Sequence, residues 1–379
     1  MSIPSSSPAD VKVSVHIITH NHEQFIAEAI ESVLMQEADF TVELVIGEDC
    51  STDGTRAIVL DYGDRYPQRI RALLHDRNLG PTLNFLHTLA ACRGEYVALL
   101  DGDDYWTDPR KLQKQVDYLD RNRECAMCFH PVEVISGQPG PQASVHYPLE
   151  RKPTYCLADW LRYTPALWLS MVFRRSLAEI PAWFHSMHFA HRPFGILLAQ
   201  RGSCGYIDEI MGAYRSSGLG VYTSLGRYRQ LQVTLQIRRE LRAYLALDPR
   251  HLAILDEYMG IHQVELGMWE FLRGESATAG QTLDAALTQI PPGSPVWLEH
   301  VVHFAVSVAE RQTGHATGQA LVDWVAGHLA ARGQRSTART LWGKWYFAHA
   351  FQANRVNDRR AVRRFAWAAL RSDPRMGEN

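Results

Sequence analysis

The pattern with the clearest chemical potential is the acidic turn Asp101-Gly102-Asp103-Asp104, which directly follows the apolar run 96–100. Three carboxylates this close together repel one another unless they share a cation. Hard divalent cations prefer oxygen ligands, so a divalent metal carrying a phosphorylated ligand is the natural candidate. The alternative is a solvated acidic turn, because Asp-Gly is common in turns. Taken alone, the motif leaves both interpretations open.

The elements that position this turn can be predicted from hydrophobic patterning. Apolar, β-branched runs predict strands, and the patterns of period 3.6 between them predict helices. This alternation predicts an α/β fold with a parallel sheet and right-handed crossovers. Each predicted strand ends in polar or acidic residues, so one rim of the sheet collects them, and open α/β sheets bind ligands at that rim. The expected strands are 13–18, 42–47, 70–74 and 96–100, and the expected helices are 25–34 and 81–92.

Four motifs follow these strands in order: Thr19-His20-Asn21, the run 48–55 (EDCSTDGT), Asn78-Leu79-Gly80, and the acidic turn with Tyr105-Trp106. In this order they resemble the family 2 inverting glycosyltransferases, which have the GT-A fold. The close match covers about residues 11–134, and a looser one extends to about 224. The resemblance implies a Rossmann-like, mostly parallel sheet flanked by helices. It also implies transfer of a sugar from a nucleotide-diphosphate donor, with a UDP-sugar as the leading donor.

The resemblance also assigns roles to individual residues on the donor side. The loop that begins at Thr19 matches the segment that contacts the base and ribose, and Asp49 matches the carboxylate that accepts a hydrogen bond from the base. The resemblance implies that Mg²⁺ or Mn²⁺ between an aspartate and the two phosphates offsets the charge of the leaving group. The residues expected to bind the donor are Thr19, Asn21, Glu23, Asp49, Asn78, Asn84, Asp101 and Arg215.

Asp101 and Asp103 match the family's Asp-x-Asp pair, and we expect both to be metal ligands. His191 stands where the family usually carries an aspartate as general base, and an imidazole with an ordinary pKa of about 6.5 can take that part. We therefore expect His191 and Asp104 to be catalytic, although His191 could instead cap or pack a helix. Ser217 stands where the family often has a histidine. These two departures leave open a catalytically weakened domain that serves as a nucleotide-binding or scaffold module.

Acceptor chemistry is less readable than donor chemistry. The resemblance implies a glycan, a lipid-linked sugar or a peptide as acceptor. Aromatic rings can stack on sugars, so four tryptophans are either acceptor contacts or core residues. A nucleotidyltransferase shares a similar sheet but usually has a Gly-rich phosphate loop near the chain start, and residues 16–24 offer none. The four tryptophans are Trp106, Trp160, Trp168 and Trp183.

Composition is typical of a large globular enzyme. A chain of 379 residues predicts two domains, and a formal net charge of −2 gives no reason to expect a nucleic-acid partner. No apolar run approaches the roughly 20 residues that span a bilayer. Cys125 and Cys128 have metal-ligand spacing, but no second close pair completes a zinc site, so we expect buried thiols in a reducing cytoplasm. Residues 1–10 are expected to form a flexible tail.

The character of the chain changes at about residue 227, where strand patterns give way to helical periodicity. Helices separated by small turns resemble degenerate tetratricopeptide-like pairs, with an ordinary helical bundle as the alternative. We therefore expect a glycosyltransferase domain over 11–226 and a helical domain over 227–379, which could also mediate homo-oligomers. Arginines in the last helix are interleaved with Phe365 and Trp367, a composition that suits either peripheral contact with the inner face of a membrane or a solvated helix face.

Overall fold

The computed structural model shows two compact units, Met1–Ser224 and Leu225–Asn379. Each unit is built around elements of a different kind, an α/β arrangement in the first and helices in the second. The structure describes residues 11–136, 144–187, 189–216, 224–290, 294–310, 315–355 and 358–373.

The first unit contains twelve strands and six α-helices among its described residues. Short 3₁₀ turns, including Trp168–Ser170, connect some of them. The strands are β1 Val11–Thr19, β2 Thr41–Glu48, β3 Ile70–Leu74, β4 Tyr96–Asp101, β5 Tyr105–Trp106, β6 Cys125–Phe129, β7 Val132–Ser136, β8 Ser144–His146, β9 Thr154–Tyr155, β10 Val172–Arg174, β11 Ser203–Tyr206 and β12 Gly212–Ser216. The helices are α1 Ile26–Leu34, α2 Thr55–Arg65, α3 Pro81–Ala91, α4 Lys111–Arg121, α5 Leu157–Arg162 and α6 His191–Ala199.

The large sheet has the strand order β3-β2-β1-β4-β10-β6-β11-β9. Strands β3, β2, β1 and β4 are mutually parallel, as predicted, and helices connect them. Strand β10 is antiparallel to both of its neighbours, and β9 is antiparallel to β11, so the sheet is mixed. The predicted α/β sheet is therefore confirmed, and its parallel half, formed by β3, β2, β1 and β4, carries the strand ends that lead into the predicted site.

A second, four-stranded sheet, ordered β5-β12-β7-β8, was not predicted from the sequence. Strand β5 has only two residues and pairs antiparallel with β12, with Trp106 opposite Gly212. Strand β12 also runs parallel to β7. Because β5 follows the acidic turn within four residues, this sheet holds the far end of the turn while β4 holds the near end.

Strand β1 lies inside the large sheet and is buried on both faces, as expected for a parallel strand covered by helices. Val13, Val15 and Ile17 point into the main core. Ser14 and His16 point to the other face, where Ser14 Oγ donates to Glu43 Oε1 at 2.6 Å. The buried Ser14 hydroxyl thus finds its acceptor in the buried carboxylate of Glu43.

Helix α3 begins where its sequence predicts. Gly80 has a φ of +82°, which favours glycine, and Pro81 occupies the first turn, where its missing N–H removes nothing. The helix packs tightly on β2 at Gly47, where an added Cβ would lie 2.0 Å from Thr88 Oγ1 and 2.2 Å from Asn84 Oδ1. This close approach draws α3 onto the end of β2, beside the predicted nucleotide loop.

The second unit is helical throughout its described residues, which confirms the predicted change of character. Asp248 caps one helix by accepting a hydrogen bond from the backbone N–H of His251 at 2.9 Å. Gly274 and Gly333 follow two helices with φ values of +81° and +80°, as is common after a helix end. The helices are α7 Arg227–Tyr244, α8 Pro249–Leu272, α9 Ser276–Gln289, α10 Val296–Val308, α11 His315–Ala331, α12 Arg335–Arg355 and α13 Arg359–Ser372.

Consecutive helices in this unit pack on one another, as α7 does on α8 and α12 does on α13. The core contains Leu283, Leu321 and Trp345, and the Trp345 indole donates to Gln319 Oε1 at 2.8 Å. None of the helices, within the residues described, has the length and apolar character needed to cross a membrane.

Candidate active site

The acidic turn at the carboxyl end of β4 brings three carboxylates together. Each of Asp101, Asp103 and Asp104 offers a carboxylate oxygen, and these oxygens all lie within 4.8 Å of one another. The turn is fixed by its backbone: Gly102 N–H donates to Ile18 O at 2.9 Å, and Asp104 N–H donates to Asp101 O at 3.1 Å. The three carboxylates are therefore set by the fold and not by flexible side chains alone.

The electrostatics of this cluster favour a bound cation. Burial raises the pKa of Asp101 to about 8, and the charge of Asp103 adds to the effect. Burial raises the pKa of Asp104 well above its ordinary value, again with contributions from Asp103 and Asp101. Crowded carboxylates that resist ionisation are stabilised in their charged form by a shared cation. An all-oxygen donor set of this kind suits Mg²⁺ or Mn²⁺.

Arg215, at the end of β12, links the acidic turn to the second sheet. Its backbone N–H donates to Asp104 Oδ1 at 2.8 Å, and its guanidinium donates to Asp103 O at 2.6 Å. The same guanidinium pairs with Glu28 on α1 and lies over the rings of Phe25 and Tyr105. These contacts hold Arg215 beside the carboxylates. One carboxylate oxygen of Asp104, Oδ1, already accepts a hydrogen bond from the backbone N–H of Arg215.

The loop after β1 is held against the loop after β2. Asn21 has a φ of +55°, and its Oδ1 accepts a hydrogen bond from Thr52 N–H at 2.8 Å. Glu23 Oε2 accepts from Gly54 N–H at 2.6 Å. Asn21 and Glu23, both predicted to bind the donor, therefore use these side-chain oxygens to join the two loops. Because both loops lie at the same rim of the sheet, this contact shapes the predicted nucleotide side.

Asp49 is buried and accepts two backbone hydrogen bonds, from Leu79 N–H at 2.7 Å and Gly80 N–H at 2.9 Å. It therefore fixes the loop that precedes α3. Exposed Asn78 contacts the ring of His20 through Nδ2, at 3.1 Å from Nε2. These contacts make Asp49 a positioning residue in this conformation, with Asn78 nearer the surface.

Asn84 is buried, and its amide is fully engaged inside the protein. Its Nδ2 donates to Gly47 O at 2.8 Å, and its Oδ1 lies 3.1 Å from His75 Nε2. The sequence placed Asn84 among the donor-binding residues, whereas the structure places it beneath the loop, between β2 and α3. In this conformation Asn84 shapes the loop from below, and a donor contact by Asn84 stays a prediction.

His22 is a neighbour of the acidic turn that the sequence analysis did not select. Its Nδ1 lies 3.2 Å from Thr19 Oγ1, and both side chains face Gly102 so closely that an added Cβ there would lie 2.9 Å from His22 Nδ1. Thr19 is itself buried against this contact. The polar run 19–22 directly after a buried strand is the sequence feature that could have identified His22. The donor-site prediction takes only Thr19 and Asn21 from that run.

His191, the expected general base, begins α6 and packs edge-on against Trp168, with ring centroids 4.8 Å apart. Burial lowers the pKa of His191 to about 4, so the near-neutral pKa expected from the sequence is not found. Within the described residues, His191 Nε2 and Trp168 Nε1 are buried without a hydrogen-bond partner. Ser217, the second departure noted in the sequence, lies outside the described residues.

The other tryptophans considered as acceptor contacts differ in burial. Trp106 is buried and its indole donates to Leu169 O at 2.9 Å. Trp160 is also fully buried, with Gly195 pressed so close that a Cβ there would lie 2.1 Å from its ring. Packing is therefore their role in this structure. Trp183 lies in a 3₁₀ turn with its ring against Phe184.

Lys111 was missed by sequence analysis because it occupies the start of a helix, where a surface lysine is expected. It is completely buried, its Nζ donates to Gln115 Oε1 at 2.6 Å, and it lies 3.9 Å from the centre of the Trp106 ring. Because Trp106 belongs to β5, its contact with Lys111 supports this short strand directly after the acidic turn.

Part of this chain is similar in sequence to known proteins. Residues 14–180 match the family model described as glycosyl transferase family 2. An uncharacterized protein of Mycobacterium tuberculosis is 39% identical over 220 residues, which cover 56% of this chain and 61% of that protein. EpsE of Bacillus subtilis, provisionally assigned as a glycosyltransferase, is 39% identical over 112 residues, covering 30% of this chain and 40% of EpsE. The chain therefore spans less than two thirds of the length of these relatives.

Solved structures share the fold at low sequence identity. S. aureus TarS 1–349 in complex with UDP-GlcNAc matches with a TM-score of 0.54 and 19% identity, over 87% of this chain and 90% of TarS 1–349. The mannosyltransferase PcManGT from Pyrobaculum calidifontis, in complex with GDP-Man and Mn²⁺, matches with a TM-score of 0.51 and 17% identity, over 86% and 88% of the two chains. At these identities the likeness concerns the fold.

Proposed function

Because residues 14–180 form a glycosyl transferase family 2 domain, we propose that this chain is a metal-dependent inverting glycosyltransferase. It moves a sugar from a nucleotide-diphosphate donor, with a UDP-sugar as the leading donor, to a glycan, lipid-linked or peptide acceptor. The observation that carries the proposal is the group of three carboxylates within 4.8 Å at the carboxyl end of β4.

On the donor side, Asp101 and Asp103 hold Mg²⁺ or Mn²⁺. When bound, such an ion supplies positive charge that offsets the charge developing on the leaving diphosphate. Solved relatives by fold contain UDP-GlcNAc in one case and GDP-Man with Mn²⁺ in another, which supports a nucleotide sugar with a divalent ion here. Asp104 is held beside Asp101 and Asp103 by the hydrogen bond that it accepts from the backbone N–H of Arg215.

The nucleotide side of the site is shaped by two positioning contacts. Asp49 fixes the loop before α3, and Asn21 joins the loops that follow β1 and β2. The base and ribose bind in the space that these loops border, with Asn78 exposed at its edge. In this assignment several of the polar residues predicted to bind the donor prepare the shape of the site before the donor arrives.

The acceptor side requires a group that takes the proton of the attacking hydroxyl, and His191 is our candidate. Its ring is neutral near pH 7, and its Nε2 has no partner among the described residues. A base with a pKa of about 4 is weak, so its contribution would be modest. His191→Asp, which restores the carboxylate usual in the family, should match or exceed the turnover of the native chain, while His191→Ala should lower kcat more than KM.

A second function remains in view because of the same residue. His191 is buried against Trp168 and has lost the near-neutral pKa of a good base. This observation favours a catalytically weakened domain that binds nucleotide and acts as a scaffold, with the helical unit binding a partner. The two functions differ in whether a nucleoside diphosphate is released from a nucleotide sugar.

The deciding experiment is a donor screen that measures nucleoside diphosphate release with and without Mn²⁺, together with calorimetric binding of UDP. Asp103→Asn should abolish Mn²⁺-dependent binding, because it removes a ligand charge from the cluster. Asp64→Asn, an equal change on the exposed face of α2, is the matched control and should leave binding unchanged. Binding of UDP by Asp103→Asn at native affinity would refute the metal site. Binding without release for every nucleotide sugar would favour the scaffold function.

A further inference from the structure

The last helix of the second unit presents a strongly basic face. Five arginines of α13, Arg359, Arg360, Arg363, Arg364 and Arg371, are exposed. At about 100° per residue, they fall within an arc of about 140° on one side of the helix. No ion pair joins any of the five to another described residue. The five arginines therefore place exposed positive charge on one side of the helix.

Two large apolar side chains lie inside the same arc. Trp367 is 63% exposed and Leu370 is 44% exposed, and the guanidinium of Arg371 lies 5.2 Å from the Trp367 ring centre. We call these seven side chains the basic–aromatic face. Exposing a tryptophan and a leucine to water is unfavourable, and their position among arginines marks a surface that contacts something.

The opposite side of α13 is already used within the unit. Ala369 is buried, and the ring of Phe365 lies 5.3 Å from the ring of His349 on α12. Helix α13 therefore docks on α12 by its apolar side and leaves the basic–aromatic face outward.

Among the described residues in and next to α12 and α13, acidic groups are few and already hydrogen-bonded. Helix α12 contains no Asp or Glu, and residues 335–373 contain nine basic and two acidic residues, although the whole chain has a net charge of −2. Of the two acids, Asp358 caps α13 by accepting from Arg360 N–H and Ala361 N–H. Asp373 is buried and accepts from Thr340 Oγ1 at 2.8 Å. Positive charge is therefore concentrated in this part of an otherwise acidic chain.

We propose that the basic–aromatic face of α13 docks on a bilayer surface that contains anionic phospholipid. The arginines match the negative headgroup layer, and Trp367 and Leu370 enter the boundary between headgroups and acyl chains, where tryptophan is favoured. A linear polyanion would attract the arginines equally but gives no reason for the exposed leucine. This contact concerns only the second unit and is independent of donor chemistry.

The test is sedimentation of the full chain with vesicles of phosphatidylcholine, with and without phosphatidylglycerol. The native chain should bind only the vesicles that contain phosphatidylglycerol, and binding should weaken as salt is raised. The variant Arg360→Gln/Arg363→Gln/Arg364→Gln should lose about 100-fold in partitioning, from roughly fivefold per arginine near an anionic surface. Glutamine keeps the helical propensity of the exposed positions.

The matched control is Arg229→Gln/Arg239→Gln/Arg250→Gln, which removes the same charge from exposed positions on α7 and α8. It should bind vesicles as the native chain does. An equal loss in both triple variants would show that net charge alone governs binding and would overturn the proposal. Circular dichroism confirms that each variant is folded.

Trp367→Ser separates a membrane from a polyanion. It should lower partitioning into vesicles with phosphatidylglycerol by about tenfold, as expected for loss of a partly buried aromatic ring. Binding of a double-stranded DNA probe measures the polyanion alternative. Tight DNA binding that depends on the arginines, with vesicle binding unaffected by Trp367→Ser, would overturn the membrane assignment. Failure to bind any vesicle would do the same and would leave the proposed transfer reaction untouched.

Discussion

Replacing Lys111 with methionine should change how the stability of the protein depends on pH. Lys111 is completely buried beside Trp106, and none of its contacts among the described residues is a carboxylate. Burial lowers the pKa of Lys111 to about 7 from its ordinary 10.5. In the unfolded chain the amine keeps its proton up to about pH 10.5, whereas in the folded chain it releases it above about pH 7.

The sign and size of the effect follow from this difference. Between pH 7 and 10.5 the unfolded state binds one more proton, so the native chain gains about 1.4 kcal/mol of stability per pH unit from Lys111. Well below pH 7, burying the charged amine lowers the free energy of unfolding by about 5 kcal/mol. The reduction is about 4 kcal/mol at pH 7 and about 2 kcal/mol at pH 9, because the folded chain gives up the proton as the pH rises. Lys111→Met removes this penalty and leaves Gln115 Oε1 without its donor, which costs about 1–3 kcal/mol at every pH.

The free energy of unfolding of Lys111→Met should therefore exceed that of the native chain at pH 7 by about 1–3 kcal/mol, and this excess should shrink by about 2 kcal/mol by pH 9. Urea unfolding of the full chain at pH 7, 8 and 9, followed by circular dichroism, measures both quantities. Lys114→Met is the control. Hydrogen bonds to Asp108 and Glu209 raise the pKa of Lys114, so that variant should differ from the native chain by a constant amount. Parallel pH curves for Lys111→Met and the native chain would refute the reasoning.

Three further changes test separate contacts. Burial alone would raise the pKa of Glu265, but hydrogen bonds from a histidine and an arginine lower it to about 2. Native stability should thus fall by about 3 kcal/mol as the pH drops from 4.5 to 2, and Glu265→Gln should lack this fall in acid titration. Asp49→Asn should lose one of two charge-assisted backbone hydrogen bonds, or about 1.5–3 kcal/mol by urea unfolding, and an unchanged midpoint would contradict this. Gly102→Ala places a methyl group within 3 Å of Thr19, so UDP affinity should fall at least about tenfold. Gly63→Ala, which meets nothing within 4 Å, is its control and should bind normally.

The parts of the fold that the sequence predicted are those determined by local pattern. The strands ending at Thr19, Glu48 and Asp101 are rich in apolar residues and buried along most of their length, as is typical of strands in a parallel sheet that is covered on both faces. The start of α3 at Pro81 was likewise readable from the residues at the boundary. The acidic turn was found because its three carboxylates are adjacent in the chain as well as in space.

The second sheet could not be predicted in this way. Its strand β5 has two residues, too few for any period to be measured, and it pairs with β12 about a hundred residues later. The contact of Arg215 with Asp104 depends on that pairing. Pairing between very short strands that are far apart in the chain leaves almost no pattern in the local sequence. The pairing of β5 with β12, which holds one end of the acidic turn, therefore could not be predicted.

Burial was the other quantity that local sequence pattern did not reveal. His191 was given an ordinary imidazole pKa, yet its contact with Trp168 removes it from water. Asn84 was assigned to the donor because of its place in a motif, although its face of α3 lies on Gly47. In both cases the groups that bury the side chain come from distant parts of the chain, so the local sequence does not show that it is buried.

The acidic turn is joined at one end to the large sheet through β4 and at the other to the second sheet through β5. A loop anchored in this way has little conformational freedom to lose when a ligand arrives, so the entropy of ordering the carboxylates is spent during folding. The raised pKa values of Asp101 and Asp104 are likewise set by the folded chain before any ligand arrives. A cation bound as proposed would therefore displace protons from carboxyl groups that are already in place, and the loop would not need to reorganise.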